Sequence, residues 1–331
     1  MTLTQQESAP NAGQPDGRIV VHELTKVFHG NIRAVDHLSF NVEPGSITGF
    51  LGPNGAGKTT TLRMLATLLS PDGGEATVAG VDLRRSPGEV RRRIGYVAQG
   101  GCTWDEVSAR EELVYQARLY GVDKTEARTR AEQAVKAFQL DTFADRLCKT
   151  YSGGQRRRVD VALGVIHQPS VVFLDEPTTG LDPQSRVHMW DEVRRLRDEG
   201  MTVFITTHYL EEADALCDRI AIMDNGLLVA EGTSAELKRE IAGDVVTVGL
   251  NGAIEKAVEL LSDEPYVAKV EALDDSVRLY VDAGATAIPH ILRTLDGAGV
   301  TLGSIELHRP SLDDVFLAKT GRSLRESAEG V

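Results

Sequence analysis

The sequence predicts an α/β protein: a parallel sheet covered by helices, with a helical insertion in the middle and a smaller α+β unit behind it. Three observations carry this reading. Short apolar β-runs alternate with segments of helical periodicity up to about residue 241. One long stretch, from about Ser108 to Val165, reads as almost wholly helical. After Gly243 the rhythm changes to β-α-β-β-α-β.

The elements follow in order. Ile19, Val20, Val21 and Leu24 read as strand, as do Leu38, Phe40 and Val42, and then Ile47 to Leu51. A glycine-rich loop, Gly52–Gly57, leads into a helix expected from Lys58 to Leu69, where Leu62, Leu65, Ala66 and Leu69 recur at helical spacing. Short β-runs are expected at Ala76–Val78 and Ile94–Val97. The helical stretch carries Leu113, Ala117 and Tyr120, then Ala131, Val135 and Phe138. Alternation resumes with strand Val171–Leu174, helix Pro183–Leu196, strand Thr202–Thr206, helix Leu210–Leu216, strand Arg219–Met223 and helix Ser234–Ile241. The second unit reads as strand Asp244–Leu250, helix Ala253–Leu261, a hairpin of Tyr266–Ala272 and Ser276–Val281 turned at Asp274-Asp275, helix Thr286–Ala298 and strand Thr301–His308. That order is ferredoxin-like. A last amphipathic segment, Ser311–Thr320, carries Leu312, Val315, Phe316 and Leu317. The expected organisation is a polar tail (1–17), a larger α/β unit (18–243) whose helical subdomain spans about 100–165, an accessory unit (244–320) and a polar tail (321–331).

Composition bounds the function. The 331 residues include 36 basic and 49 acidic side chains, a net charge of −13, which argues against non-specific nucleic-acid binding. Hydrophobic residues at 41% and charged residues at 26% fit a globular protein and exclude a collagenous or disordered chain. Cys102, Cys148 and Cys217 match no zinc or redox spacing and read as reduced thiols. Residues 1–17 lack the basic start and apolar stretch of a signal peptide, and no apolar run approaches the roughly 18 residues of a membrane span.

Three motifs carry chemistry. Gly52-Pro53-Asn54-Gly55-Ala56-Gly57-Lys58-Thr59 is an instance of G-x-x-x-x-G-K-[ST], set between a strand and a helix. Its glycines let backbone N–H groups cradle phosphates, Lys58 reaches the β- and γ-phosphates, and the Thr59 hydroxyl ligates Mg²⁺. The strand Val171–Leu174 ends in Asp175 and Glu176, carboxylates suited to holding Mg²⁺ and to polarising an attacking water. Ser152-Gly153-Gly154-Gln155 opens a helix with Ser152 as N-cap and forms a second anion-binding helix start. Taken alone, Arg156, Arg157 and Arg158 behind it read as a solvated face.

Together these motifs resemble one family, the ATP-binding cassette (ABC) ATPases, over about residues 18–240. Ser152–Gln155 matches the family signature SGGQ, with Tyr151 where leucine is commoner. By this resemblance Gln99 falls in the Mg²⁺-sensing glutamine loop and Asp182, in Gly180-Leu181-Asp182, in the loop linking two sites. His208 matches the switch histidine at the γ-phosphate, and Phe28 lies where an aromatic ring stacks on adenine. The implied nucleotide-contacting set is Phe28, Gly52 to Thr59, Thr60, Gln99, Ser152, Gly153, Gly154, Gln155 and Asp182. Glu176, His208 and Lys58 are the implied catalytic residues, and Thr59, Gln99 and Asp175 the implied metal set. The implied fold is a P-loop NTPase of ABC type with a helical subdomain, and the implied cofactors are ATP and Mg²⁺. Implied partners are a second copy, packed head to tail, and a separate polytopic membrane permease, with no nucleic acid.

Within the family the chain is similar to the daunorubicin/doxorubicin-resistance, drug-export type. The echoes are Arg156–Arg158, Thr206-Thr207-His208-Tyr209-Leu210-Glu211-Glu212-Ala213-Asp214 and Pro310-Ser311-Leu312-Asp313-Asp314-Val315-Phe316-Leu317. His208 and Gln155 keep the general family residues where some of that type carry glutamine and methionine. The resemblance implies an export ATPase at the cytoplasmic face of the cell membrane. An importer ATPase with a regulatory C-terminal unit, in which a pocket within 244–308 binds solute, and a soluble non-transport ABC ATPase are the alternatives.

Overall fold

The computed structural model describes residues 16–240, 243–250, 252–273 and 275–321. The tails expected at 1–17 and 321–331, apart from Asp16, Gly17 and Gly321, lie outside the described residues, as do Ile241 and Asp274 of the expected helix end and hairpin turn. The chain divides into two compact units: residues 16–50, 55–207 and 225–227, and the described parts of 51–54, 208–224 and 228–321.

The first unit holds two sheets. One is antiparallel, in the order Ile32–Val42, Ile19–Phe28, Gly73–Val78, Val81–Asp82. In the other, Ile47–Leu51, Thr202–Thr207, Val171–Asp175 and Ile94–Val97 lie side by side in that order, the last three in parallel. Parallel strands covered on both faces read as continuous apolar runs, and every residue of Val171–Asp175 and Thr202–Thr207 is buried. Four rings lock the two sheets together: Phe50 lies 4.8 Å from Phe40 and 4.6 Å from Phe204, and Phe204 lies 5.8 Å from Phe173, centroid to centroid. The register pairs Asp175 with Thr206 at the carboxyl end of the parallel sheet.

Helices Ala109–Leu119, Lys124–Ala137 and Gly153–Val165 form the helical insertion. Each starts where a side chain satisfies its first N–H groups: Ser108 and Ser152 in capping boxes with Glu111 and Gln155, and Asp123 by accepting from Thr125 and Glu126. The insertion is less continuous than expected, because Gly121 (φ 85°) and Gln139 (φ 52°) turn the chain left-handed. The helix expected to reach Leu69 ends at Leu65, where Ala66 caps it and Thr67 takes φ 62°. Strand Ile94–Val97 meets helix Gly153–Val165 with no space between them, since a Cβ on Gly95 would lie 2.0 Å from the Gly164 carbonyl oxygen.

The second unit holds, apart from Leu227, the neighbouring strands Arg219–Asp224 and Leu227–Gly232. The latter was not expected, although the Asn225-Gly226 turn before it, at φ 48° and 81°, is a strong hairpin signal. The β-α-β-β-α-β segment forms a four-stranded antiparallel sheet in the order Val267–Ala272, Ser276–Val281, Asp244–Leu250, Leu302–His308. Val246, Val248, Val277 and Leu279 pack against Leu261, Ile291 and Leu295 of helices Ile254–Ser262 and Gly284–Gly297. The last helix, Leu312–Thr320, does not join that core. Its Leu312, Val315 and Phe316 bury among Leu51, Ala213, Ile220, Ile222 and Leu237.

One contact within the first unit is pH-sensitive. His167 stacks on Tyr120 at 3.6 Å between centroids, and its Nε2–H donates to the Ile94 carbonyl at 2.9 Å. Among the described residues its buried Nδ1 has no hydrogen-bond partner, and burial pushes its pKa down to about 4 from 6.5. The folded chain therefore keeps the ring neutral where the unfolded chain binds a proton. The contribution is full above pH 6.5 and is lost as pH falls toward 4, by up to roughly 3 kcal/mol. Urea titrations between pH 7 and 4 should show a steeper loss of stability for the wild type than for His167→Gln, and parallel curves would refute the assignment.

Candidate active site

The strand Ile47–Leu51 runs out into Gly52–Gly57, and the helix Lys58–Leu65 begins immediately after it. Gly55 (φ 81°) and Gly57 (φ 101°) take left-handed conformations that a side chain resists. Gly57 is the N-cap, and no side chain caps the helix there, a helix start of the kind that suits an anion. Lys58 is 4% exposed, and its Nζ lies 3.9 Å from Glu176 Oε1. Burial pulls its pKa down, while the Glu176 and Asp175 carboxylates push it back up. Such a lysine is held ready for an anion.

Asp175 and Glu176 are 1% and 7% exposed. Asp175 Oδ1 accepts from the Thr59 hydroxyl at 2.9 Å and from the Thr206 hydroxyl at 2.7 Å. Its Oδ2 is buried with no hydrogen-bond partner among the described residues. An orphaned carboxylate oxygen on an acid already bonded to the Thr59 hydroxyl is the donor chemistry of a hard divalent cation, so these residues fit Mg²⁺. Glu176 Oε2 accepts from Gln99 Nε2 at 2.8 Å and from the Thr179 hydroxyl at 3.1 Å. The Glu176 N–H donates to Thr206, to its carbonyl and to its Oγ1, each at 3.1 Å. Glu176 itself sits at φ 44°, a strained backbone that its surroundings must hold.

The structure thus brings Lys58, Thr59, Gln99, Asp175 and Glu176 together. Thr206 and Thr179 complete the group and escaped the sequence reading. A cross-strand register found Thr206, and the spacing of Asp175 from the next apolar strand was the available signal. Thr60 lies half-buried in the first turn of the helix, beside Thr59. Phe28 ends its strand 43% exposed, with Lys26 Nζ 5.7 Å from the ring centroid. Asp182 is exposed and caps helix Pro183–Asp198, accepting from the Ser185 N–H at 2.9 Å and its hydroxyl at 2.6 Å. Those bonds hold its carboxyl below the usual range.

Ser152 and Gly153 are exposed, and the Ser152 and Gln155 side chains bond within their own capping box. They do not hydrogen-bond the Lys58–Glu176 group among the described residues. Tyr151 packs its ring edge-on against Phe143, and its hydroxyl donates to the Phe143 carbonyl at 2.9 Å. In the second unit, Gly52 and Pro53 are buried and Asn54 is exposed. His208 follows directly on strand Thr202–Thr207, its ring 4.1 Å from that of Tyr209.

Comparison with known proteins assigns the family. Residues 35–179 match the ABC transporter family model, and residues 232–320 match the C-terminal domain of DrrA1-3-like ATP-binding proteins. The chain is 44% identical to the daunorubicin/doxorubicin resistance ATP-binding protein DrrA of Streptomyces peucetius, over 96% of this chain and 98% of that one. It is also 44% identical to the doxorubicin resistance ATP-binding protein DrrA of Mycobacterium tuberculosis, over 92% and 94%. Among solved structures it resembles a dimeric ATP-binding cassette in a post-hydrolysis state bound to ADP and Pi, with a TM-score of 0.60 and 25% identity over 65% of this chain and 98% of that one. With a P-loop ABC fold, a helical subdomain and a C-terminal α+β domain, the chain belongs to the ATP-hydrolysing subunits of ABC transporters, homologous to the DrrA-like drug-resistance ATPases.

Proposed function

We propose that this chain works as a homodimer at the cytoplasmic face of the membrane and powers export of a hydrophobic, drug-like compound through a separate polytopic permease. One observation carries the reading. The buried Lys58, Asp175 and Glu176 form one half of an ATP site, while Ser152 and Gly153, the other anion-binding element, face solvent on the same chain. A second copy packed head to tail supplies each half with its complement, and the similar cassette with ADP and Pi is dimeric. The resistance proteins that this chain matches over nearly their whole length support export and a drug-like cargo. Among the described residues no helix is long and apolar enough to cross a membrane, and the path across belongs to the permease.

The chain's own residues then divide the work. Lys58 and the loop N–H groups bind the phosphates. Glu176, oriented by Gln99 and Thr179, accepts a proton from or aligns the attacking water. His208 and Lys58 offset charge on the transferring phosphoryl group. Asp175 and Thr59 would hold Mg²⁺, which when bound neutralises phosphate charge. Contacts to the γ-phosphate from both copies favour the closed dimer, and losing them on hydrolysis reopens it.

An importer with a regulatory C-terminal unit is the second reading, because the unit carries a cavity of about 500 Å³ lined by Leu292, Arg293, Asp296, Val300 and Leu302. Solute binding there that inhibits ATP hydrolysis would favour import.

Three experiments test the proposal. Glu176→Gln should keep ATP affinity, lower hydrolysis by about a hundredfold or more, and trap an ATP-dependent dimer visible by light scattering. Rapid turnover by that variant removes Glu176 from the catalytic role. Lys58→Ala should weaken ATP binding by about a hundredfold in calorimetry, and unchanged affinity sinks the phosphate-loop assignment. Affinity capture of the full chain from detergent-solubilised membranes should recover a stoichiometric polytopic subunit. Recovery only with ribosomes or DNA would overturn the transport role.

A further inference from the structure

Arg156, Arg157 and Arg158 follow the Ser152–Gln155 motif in one helical turn, yet they meet different fates. Arg156 pairs with Asp105 at the surface. Arg158 reaches the Gln139 carbonyl and lies 5.4 Å from the Phe143 ring centroid. Arg157 points inward and is 7% exposed, on the same helix face as Val161 and Gly164. The expected solvated face is therefore wrong for Arg157. Its period of 3.6 with those two buried residues was the signal.

Three donations from the guanidinium go to backbone. Nη1 donates to the Ala98 carbonyl at 2.6 Å, Nε to the Pro177 carbonyl at 2.8 Å and Nη2 to the Asp175 carbonyl at 2.9 Å. Those three carbonyls have a common neighbourhood. Ala98 precedes Gln99, Asp175 precedes Glu176, and Pro177 follows Glu176. One rigid plane thus brackets Glu176 on both sides and fixes the root of Gln99, whose amide donates to the same Glu176 at 2.8 Å. Hydrogen bonds from a charged fork are stronger than neutral ones and set angles as well as distances. They act where the backbone needs holding, since Glu176 sits at φ 44°.

A second side chain of the same helix works on the next residues of the loop. Asp160, 2% exposed, accepts from the N–H groups of Cys102 at 2.8 Å and Thr103 at 3.2 Å. The helix that starts at Ser152 therefore holds the Gln99 segment from both ends, with Arg157 before it and Asp160 after it.

We propose that Arg157 is a positioning residue for ATP hydrolysis: its fork on the Ala98, Asp175 and Pro177 carbonyls sets the geometry of Gln99 and Glu176, and so ties the Ser152–Gln155 helix to the group that handles the attacking water. This rests on the ATPase reading of Glu176 given above. A lysine keeps the charge but presents one ammonium in place of the planar fork, and it cannot hold three carbonyls in one plane.

Steady-state hydrolysis by the full-length chain tests it. Arg157→Lys should lower kcat by about tenfold or more while KM for ATP stays within about twofold. The effect should not multiply with that of Gln99→Ala, because both changes disturb one arrangement: the double variant should be about as slow as the slower single one. Arg157→Gln, which keeps a single NH₂ group and buries no ammonium, should show the same split and the same non-additivity. Unchanged kcat in both Arg157 variants overturns the proposal. So does a loss that multiplies fully with Gln99→Ala, or one in which kcat and ATP affinity fall together with the melting temperature, as a purely structural role predicts. Glu176→Gln separates this from the parent reading. If it hydrolyses ATP at the wild-type rate, the ATPase assignment of Glu176 fails and takes this proposal with it. If it is inactive while the Arg157 variants match wild type, only this proposal fails.

Discussion

Two adjacent carboxylates, Asp175 and Glu176, lie almost out of water at the end of one strand, and much of the surrounding structure exists to make that tolerable. Burying a charge is costly unless other groups surround it with opposite charge and hydrogen-bond donors. Lys58 supplies the charge, and Thr59, Thr206, Thr179 and Gln99 supply donors from four other places in the chain. The strand order follows from this need, because only a neighbour in register with Asp175 can present Thr206 there. The tight contact of Gly95 with Gly164 follows as well, since it brings the Ser152 helix close enough for Arg157 to reach the same strand end.

What was legible in the sequence was whatever is encoded by neighbours along the chain. The phosphate loop is eight consecutive residues, the carboxylate pair ends one apolar run, and Ser152–Gln155 is a contiguous cap motif. Strands Asp244–Leu250 and Ser276–Val281 and helix Leu210–Leu216 have the bounds their periodicity predicts. Contacts made across the fold were not legible. Thr206 owes its place to strand register, and Arg157 to a helix face that its two flanking arginines conceal. Local backbone conformation defeated periodicity at Leu65, where apolar residues at helical spacing continue past a left-handed Thr67. Asp182 shows the opposite case: the residue type and position fit a family pattern, while its carboxylate is engaged in capping its own helix.

Capping recurs as a way of fixing where functional segments begin. Ser152 and Gln155 bond each other reciprocally, so the exposed Gly153 is presented from a helix start of defined geometry. The phosphate loop uses the reverse device. Gly57 withholds any side-chain acceptor from the helix behind it. The two helix starts are thus capped in opposite ways, one by its own side chains and one by a glycine.

The last helix gives the chain an unusual wiring. The ferredoxin-like segment leaves after helix Ser234–Arg239, and when it ends the chain returns to place Leu312, Val315 and Phe316 among Leu51, Ala213, Ile220 and Leu237. Topologically the segment is an insert, anchored at its entry and at its exit in one shared core, and not a domain hung from a single hinge. Domains spliced into a parent by two strands of chain lose the swivelling freedom of a terminal appendage. Leu51 belongs to that shared core and is also the residue before Gly52. Helix Leu312–Thr320 is therefore packed in one core with the residue that leads into Gly52, although about 260 positions separate them along the chain.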